Sequence, residues 1–277
     1  MTVRNSIAGN ANLFESSDYS VLNSSVSQEI YGDSNYLISI VIPLYNEEKS
    51  IKTLLKSFPN HYRYEIIIVD DGSTDNSIQK IKEIKNLDLK VIQHDRNLGY
   101  GAAIKSGFDH AKGDIIVTMD SDGQHDPKEI PKLVKPLISN KADLIVGSRY
   151  LGKSRYKIPL HTRTGEFFIK TSLWFLYNQK VYNNQNGFRA FKKESLDIFR
   201  NLKSNGMGFT TELLFESAYS GLKIIEIPIT LSSRRYGTSY IKLLSLTRFI
   251  CSCVIIYGLR KFRLKRFALK AIEKFFF

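Results

Sequence analysis

The sequence predicts an α/β fold, a mainly parallel sheet flanked by helices, with amphipathic helices at its C-terminal end. Two observations carry this. Between residues 37 and 147, short runs rich in Ile and Val alternate with segments of helical spacing, the pattern of β-α units around a parallel sheet. The acidic and glycine-rich motifs each follow the end of such a run, where open α/β sheets bind ligands. Strands are predicted over 37–44, 65–69, 90–93, 114–119 and 143–146. Helices are predicted over 48–57, 76–84, 101–111 and 127–138, the second with Ser73, Thr74 or Asp75 as its cap. Farther on, Phe167, Phe168, Leu173, Trp174 and Leu176 suggest a helix over 165–177. A turn-rich stretch around 183–187, a helix over 211–220 and a strand over 223–229 follow.

Residues 241–259 resemble a membrane segment at first sight, but Lys242 and Arg248 interrupt them. The clean run 249–259 is about half of the ~20 residues a spanning helix needs. Drawn as a helix, 260–277 gathers most of its basic residues on one side and Leu264, Leu269, Ile272, Phe275 and Phe276 on the other. That describes a helix lying in a membrane interface, or packed on a partner protein. Three regions follow: a mobile extension over 1–36, a folded domain over 37–237, and a basic amphipathic tail over 238–277.

Composition narrows the function. With 277 residues, 43% hydrophobic and 24% charged, the chain can bury one substantial core. Its two cysteines, Cys251 and Cys253, stand in an apolar run away from any Cys or His cluster, so neither a disulfide framework nor a zinc site is expected. A reducing, cytoplasmic compartment fits that usage, as does an N-terminus rich in Ser and Asn without a secretory signature. The formal charge of +13 implies an anionic partner. From Thr238 onward nine basic residues face one acidic residue, Glu273, so +8 of that excess sits in the tail. Nucleic acid is disfavoured, because the tail has no groove-reading motif and joins its charges to an apolar face.

Four motifs carry chemistry. Pro43-Leu44-Tyr45-Asn46-Glu47-Glu48 and Asp70-Asp71-Gly72-Ser73-Thr74-Asp75 end the first two strands. Each alone could be a polar turn into a helix cap. Together they offer carboxylate acceptors for ribose hydroxyls and a base N–H. Asn97-Leu98-Gly99-Tyr100-Gly101 is a glycine-rich turn into a helix, without dinucleotide-fingerprint spacing, and reads as a shaping loop. Asp120-Ser121-Asp122-Gly123-Gln124-His125-Asp126-Pro127 is the most informative. Two carboxylates one residue apart beyond a strand can turn toward one hard cation, Mg²⁺ or Mn²⁺, which bridges diphosphate oxygens. The plainer alternative is a solvated acidic turn with Asp126 capping the helix from Pro127. His125 could be a further ligand, but a lone His of this kind reads first as an exposed bystander.

In this order, these motifs with Gly147-Ser148-Arg149-Tyr150 resemble the family 2 glycosyltransferases of GT-A fold, a Rossmann-like nucleotide-diphospho-sugar transferase architecture, over about residues 37 to 240. Asp-x-Asp-x-Gln at 120–124, Asn186-Gly187-Phe188-Arg189-Ala190-Phe191 and Arg234-x-x-Gly237-x-Ser239 resemble the polyprenyl-phosphate branch, of which dolichyl-phosphate mannosyltransferase is the best-known kind. The resemblance implies an inverting, metal-dependent hexosyltransferase that uses a nucleotide-sugar donor. The acceptor it implies is a polyprenyl or dolichyl phosphate at the cytoplasmic face of a membrane. It implies that Pro43, Tyr45, Glu47, Asp70, Asp71 and Asp120 contact the nucleotide, and that Asp120, Asp122 and Gln124 hold the metal. Arg149, Arg163 and Arg234 match positions near the acceptor phosphate, and with Asp122 they form the expected catalytic set. Two residues depart from the pattern: Asn183 stands where Asp is usual, and Tyr240 where Lys is common. Two other readings stay open, a transferase acting on a saccharide hydroxyl and a non-catalytic membrane-associated subunit that kept the fold. Plain structural roles also stay open for Arg149, which could cap a strand or pair with Asp143, for Arg163 and Arg234 as surface residues, and for Arg189.

Overall fold

The computed structural model describes residues 36–59, 63–85, 87–154, 160–234 and 243–262. A seven-stranded sheet runs through them in the order β3-β2-β1-β4-β6-β5-β7. Its strands are β1 (Ile38–Leu44), β2 (Tyr64–Asp70), β3 (Leu89–Gln93), β4 (Ile115–Thr118), β5 (Leu144–Ser154), β6 (Arg189–Lys192) and β7 (Ile224–Leu231). The helices are α1 (Ile51–Lys56), α2 (Ser77–Lys82), α3 (Tyr100–His110), α4 (Ile130–Ile138), α5 (Leu160–Tyr177), α6 (Leu196–Arg200), α7 (Phe209–Tyr219) and α8 (Leu243–Lys261).

β1 is apolar except for Ser39, and all seven of its residues are buried, as expected of a strand at the centre of a parallel sheet. It pairs in parallel with β2 on one side and β4 on the other. Strand order therefore reverses at β1, and the crevice beyond its C-terminal end is where ligands of such sheets bind. Gly107 of α3 lets the helix settle on this strand, since a Cβ there would lie 2.2 Å from Val41 Cγ1.

The five strands and four helices predicted over 37–147 are all present, with ends shifted by a few residues. Four features are not in the sequence reading, the short helix α6 among them. The four-residue β6 runs antiparallel between β4 and β5, β5 continues to Ser154 alongside β7, and α5 begins at Leu160 rather than at 165. The core beside β6 is aromatic, with Phe191 edge-on to both Phe108 (5.4 Å) and Phe199 (4.8 Å). The α8 helix is clamped to α7 at Glu216, which accepts from Tyr257 Oη (2.7 Å) and Arg260 Nη1 (2.6 Å). Among the described residues, no helix is long and apolar enough to cross a membrane. The N-terminal 35 residues, the Gly237-x-Ser239-Tyr240 part of the arginine motif and the tail from 263 onward lie outside the described residues.

Candidate active site

The loops leaving β1 and β2 are zipped together by side chains from each other's motif. Asn46, in the left-handed region at φ 54°, accepts from Thr74 N (2.8 Å), and its own N–H donates to Ser73 Oγ (2.9 Å). Glu47 N donates to Ser77 Oγ (2.9 Å), and Glu48 N to Asp75 (3.0 Å). Asp75 also accepts Ser77 N (2.9 Å), the first N–H of α2, but the N-cap position falls on Asn76 and not on Ser73, Thr74 or Asp75 as expected. Pro43 lies within β1 opposite Val69, and Tyr45 opens the loop beyond it.

Asp70 and Asp71 are both buried. Asp70 accepts Ser73 N (3.0 Å) and Gln93 Nε2 (3.3 Å). Asp71 Oδ1 accepts Leu98 N (2.9 Å) and pairs with His94 Nδ1 (2.8 Å), while Oδ2 accepts Gly99 N (2.8 Å). Asp71 is thus the anchor of the glycine-rich loop, and only its remaining lone pairs could meet a nucleotide. Gly99, at φ +103°, is needed there, because a Cβ would lie 2.4 Å from Asn205 O.

The loop after β4 carries the two carboxylates. Asp120 packs against Gly187, the residue two before β6, so that a Cβ on Gly187 would meet its Oδ1 at 2.2 Å. Asp122 accepts Gln124 N (3.0 Å) across Gly123, which is at φ +74°. Burial pushes the Asp122 carboxyl up, and the Asp120 charge adds to it, while His125 and Arg234 oppose. Burial raises Glu47 as well; Ser50 and Arg234 oppose that shift, and Asp122 reinforces it. Burial and the Asp120 carboxylate likewise hold the Tyr100 phenol well above its usual range.

Gln124 ties this loop to the end of β7. Its Nε2 donates to Ser232 O (3.0 Å), and Ser232 N returns a bond to Gln124 O (2.9 Å). Two residues on, the Arg234 guanidinium pairs with Glu47. Glu47, Asp120, Asp122 and Arg234 therefore form one electrostatic group at the switch point.

His125 is not the exposed bystander expected. It is buried against Phe188, with ring centroids 5.0 Å apart; Nε2 pairs with Asn186 Oδ1 (2.8 Å), and Nδ1 lies 3.8 Å from Asp120 Oδ2. Asp126 does cap the turn at Pro127, accepting Lys128 N (3.0 Å).

The expected arginines do not all meet. Arg149 pairs with Glu166 rather than Asp143, through Nη2 to Oε1 at 2.7 Å, and Tyr150 Oη donates to Glu166 Oε2 at 2.5 Å. Burial raises Glu166, against the pull of Arg149 and Tyr150, and the Tyr150 phenol is pushed up to about 12 by burial and by Glu166. Arg163 lines a cavity of about 150 Å³ with Tyr150, Glu166, Phe167, Lys170 and Tyr182. Arg149 and Arg163 share this neighbourhood, whereas Arg234 belongs with Glu47 and Asp122. Arg189 is structural: Nε, Nη1 and Nη2 donate to the carbonyls of Asn186, Thr210 and Asn184, each at 2.8 Å. Burial lowers its pKa to about 10. Asn183, fully buried, donates Nδ2 to Gly147 O (3.0 Å), a bond that an aspartate could not make.

Glu166 was missed from the sequence, although a signal was there. It falls in helical register with Ile169, Leu173 and Leu176, the inward face of α5. An acidic side chain on an inward face calls for a buried cation.

The model of the family described as "Glycosyl transferase family 2" matches residues 39–199. The chain belongs to this family. It is 34% identical over 212 residues to the UDP-N-acetylglucosamine–dolichyl-phosphate N-acetylglucosaminyltransferase of Methanococcus voltae, covering 70% of this chain and 84% of that protein. It is 33% identical over 216 residues to the dolichol-phosphate mannosyltransferase of Pyrococcus furiosus, covering 74% of this chain and 59% of that one. Among solved structures it superposes on the glucosyl-3-phosphoglycerate synthase of Mycobacterium tuberculosis, crystallised with Mn²⁺, UDP and glucosyl-3-phosphoglycerate. The TM-score is 0.60 at 22% identity, over 82% of this chain and 80% of that chain. The fold is thus of the GT-A kind that the motifs imply, and the protein is a glycosyltransferase.

The residues fit a divalent cation. Asp120 and Asp122 offer hard oxygens that repel each other, and the Gln124 side chain can add only its amide oxygen. Among the described residues, no cluster of three or more His, Cys, Asp and Glu could hold a metal. Such a two-carboxylate set suits Mg²⁺ or Mn²⁺ completed by water and substrate phosphate oxygens, not a closed protein cage.

Proposed function

We propose that this transferase moves a hexose from a nucleotide sugar to a polyprenyl or dolichyl phosphate, with inversion, using Mg²⁺ or Mn²⁺ at Asp120, Asp122 and Gln124. The observation that carries the donor half is the electrostatic group at the switch point, two repelling carboxylates whose field His125 and Arg234 oppose. A cation bound there supplies charge neutralisation for the departing diphosphate. Arg234, oriented by Glu47, adds a second positive charge on the same side. The loops zipped through Asn46 and Asp71 form the nucleotide wall, with Pro43, Tyr45, Glu47, Asp70 and Asp71 as its members.

The acceptor half is supported by the names of the relatives and by the Arg149–Arg163 neighbourhood. A lipid phosphate is already anionic at neutral pH, so it needs no general base. Arg149, fixed by Glu166, and Arg163 at the cavity mouth would align it by guanidinium–oxyanion pairing. The basic tail would hold the enzyme peripherally on the cytoplasmic face, against anionic lipid or a membrane protein partner.

The test is incubation with a panel of radiolabelled UDP- and GDP-sugars, Mg²⁺ or Mn²⁺ and polyprenyl phosphate, followed by organic extraction. Label entering the lipid phase is expected, with the opposite anomeric configuration in the product. Label absent from the lipid across the whole panel overturns the reading, and label in a water-soluble saccharide supports a hydroxyl acceptor instead.

A further inference from the structure

Helix α5 sorts its side chains the wrong way round for a helix facing water. Its inward register holds Glu166, Ile169, Leu173 and Leu176. Its outward stripe holds Leu160, Phe167, Phe168, Trp174 and Phe175, exposed by 75, 63, 43, 48 and 75%. Neighbouring segments add Tyr150, Leu151 and Tyr182, each more than 40% exposed. A contiguous apolar patch of this kind marks a binding surface. The only acidic residue of α5 is Glu166, which is buried, so the outward face carries no negative charge. Lysines rim it instead: Lys170 lies 5.0 Å above both Phe167 and Tyr182, Lys180 5.6 Å from the Trp174 ring, and Lys261 5.5 Å from that of Tyr177.

We propose that this face of α5 docks on an anionic lipid bilayer, with Phe167, Trp174 and Phe175 entering the headgroup–acyl boundary. Aromatic rings beneath a basic rim suit that boundary, where apolar bodies are buried and lysine heads meet anionic headgroups. The absence of acidic groups on the stripe favours lipid over a protein surface of mixed charge. Phe167 and Lys170 belong both to the stripe and to the cavity holding Arg163, so the docked face and the cavity mouth are continuous. The surface stands on α5 alone; its link to an acceptor rests on the proposed lipid-phosphate reaction.

Trp174 is the only tryptophan of the chain, so its fluorescence reports on α5 alone. Full-length protein is mixed with vesicles of three parts phosphatidylcholine to one part phosphatidylglycerol, with and without brominated acyl chains. Docking through α5 gives a blue-shifted Trp174 emission and quenching by bromolipid. Phe175→Glu, at a site too exposed to disturb the core, weakens partitioning about tenfold or more while the circular-dichroism melt stays unchanged. Vesicle binding without a Trp174 response means that another segment docks, and overturns the proposal, as does no binding at all. Docking through α5 without sugar transfer to polyprenyl phosphate refutes the proposed reaction and leaves the surface standing. Transfer in detergent without a Trp174 response does the reverse.

Discussion

Gly187→Ala moves the proposed metal-binding carboxylate without changing a charge. The new Cβ would lie 2.2 Å from Asp120 Oδ1 and 2.7 Å from its Cγ. The glycine is outside the left-handed region, so alanine brings no backbone strain. Ordinary carbon–oxygen packing needs about 3.5 Å, so one partner must retreat by about 1 Å. The backbone at 187 is held, with Gly187 O accepting Thr118 Oγ1 (2.6 Å) and Phe188 N donating to Asn186 Oδ1 (3.2 Å). The carboxylate, the end of a side chain, is therefore what moves. A misplacement of that size at a reacting centre costs about 100-fold, or roughly 2.7 kcal/mol of transition-state stabilisation. We expect kcat/KM for transfer to fall by about that factor and half-saturating Mn²⁺ to rise, while Tm shifts by no more than a few degrees. Asp120→Asn provides the control. If Gly187→Ala acts through Asp120, the double variant is no slower than Asp120→Asn alone. Transfer within threefold of the parent at unchanged half-saturating metal would refute the coupling between the position of this carboxylate and the chemistry.

Three further outcomes are expected. Asp122→Asn removes one of two hard anionic ligands and should lower transfer at least about 100-fold with a raised metal requirement; undiminished transfer makes the metal assignment wrong. Arg149→Ala strands the buried Glu166 carboxylate and should cost about 3 kcal/mol in a denaturant titration. Adding Glu166→Ala should restore part of that stability but not the KM for the lipid phosphate, whereas a KM that recovers with the fold would make Arg149 purely structural. Burial raises the Glu226 carboxyl, against bonds from Tyr182 N and Asn183 N. Its contribution to stability is full below the ordinary value of 4.5 and is lost as pH rises through its folded pKa. The Tm of the parent relative to Glu226→Gln should therefore be more favourable at pH 5 than at pH 7.5; a difference independent of pH, or of opposite slope, would show that the shift is absent.

What was legible in the sequence was local. A strand ending in Asp-x-Asp, or in Asp-Asp-Gly, announces itself within ten residues, because the apolar run and the polar turn are contiguous. The partners that give these motifs their roles are not contiguous. Arg234 meets Glu47 across 187 positions, and Gln124 meets Ser232 across 108. No periodicity records such pairs. The short β6 escaped for a related reason: four residues are too few for an alternation, and its place between β4 and β5 is fixed by neighbours on both sides.

Helix α5 shows where residue type misleads and period does not. Phe167, Phe168 and Trp174 are apolar, and type alone puts them in a core with Leu173 and Leu176. The 3.6-residue period separates them, sending Ile169, Leu173 and Leu176 inward and the aromatic residues outward, and it carries Glu166 inward as well. Each half of that inversion demands compensation. The carboxylate receives Arg149 and Tyr150 from within the fold. The aromatic stripe is left to solvent except for the lysines above its rings, and a surface of that size that repels water needs an apolar phase to enter. The arginine side of the site and the lipid-facing side are thus two consequences of one helix register, which is why a single substitution at Phe175 and a single one at Arg149 are expected to separate docking from acceptor binding.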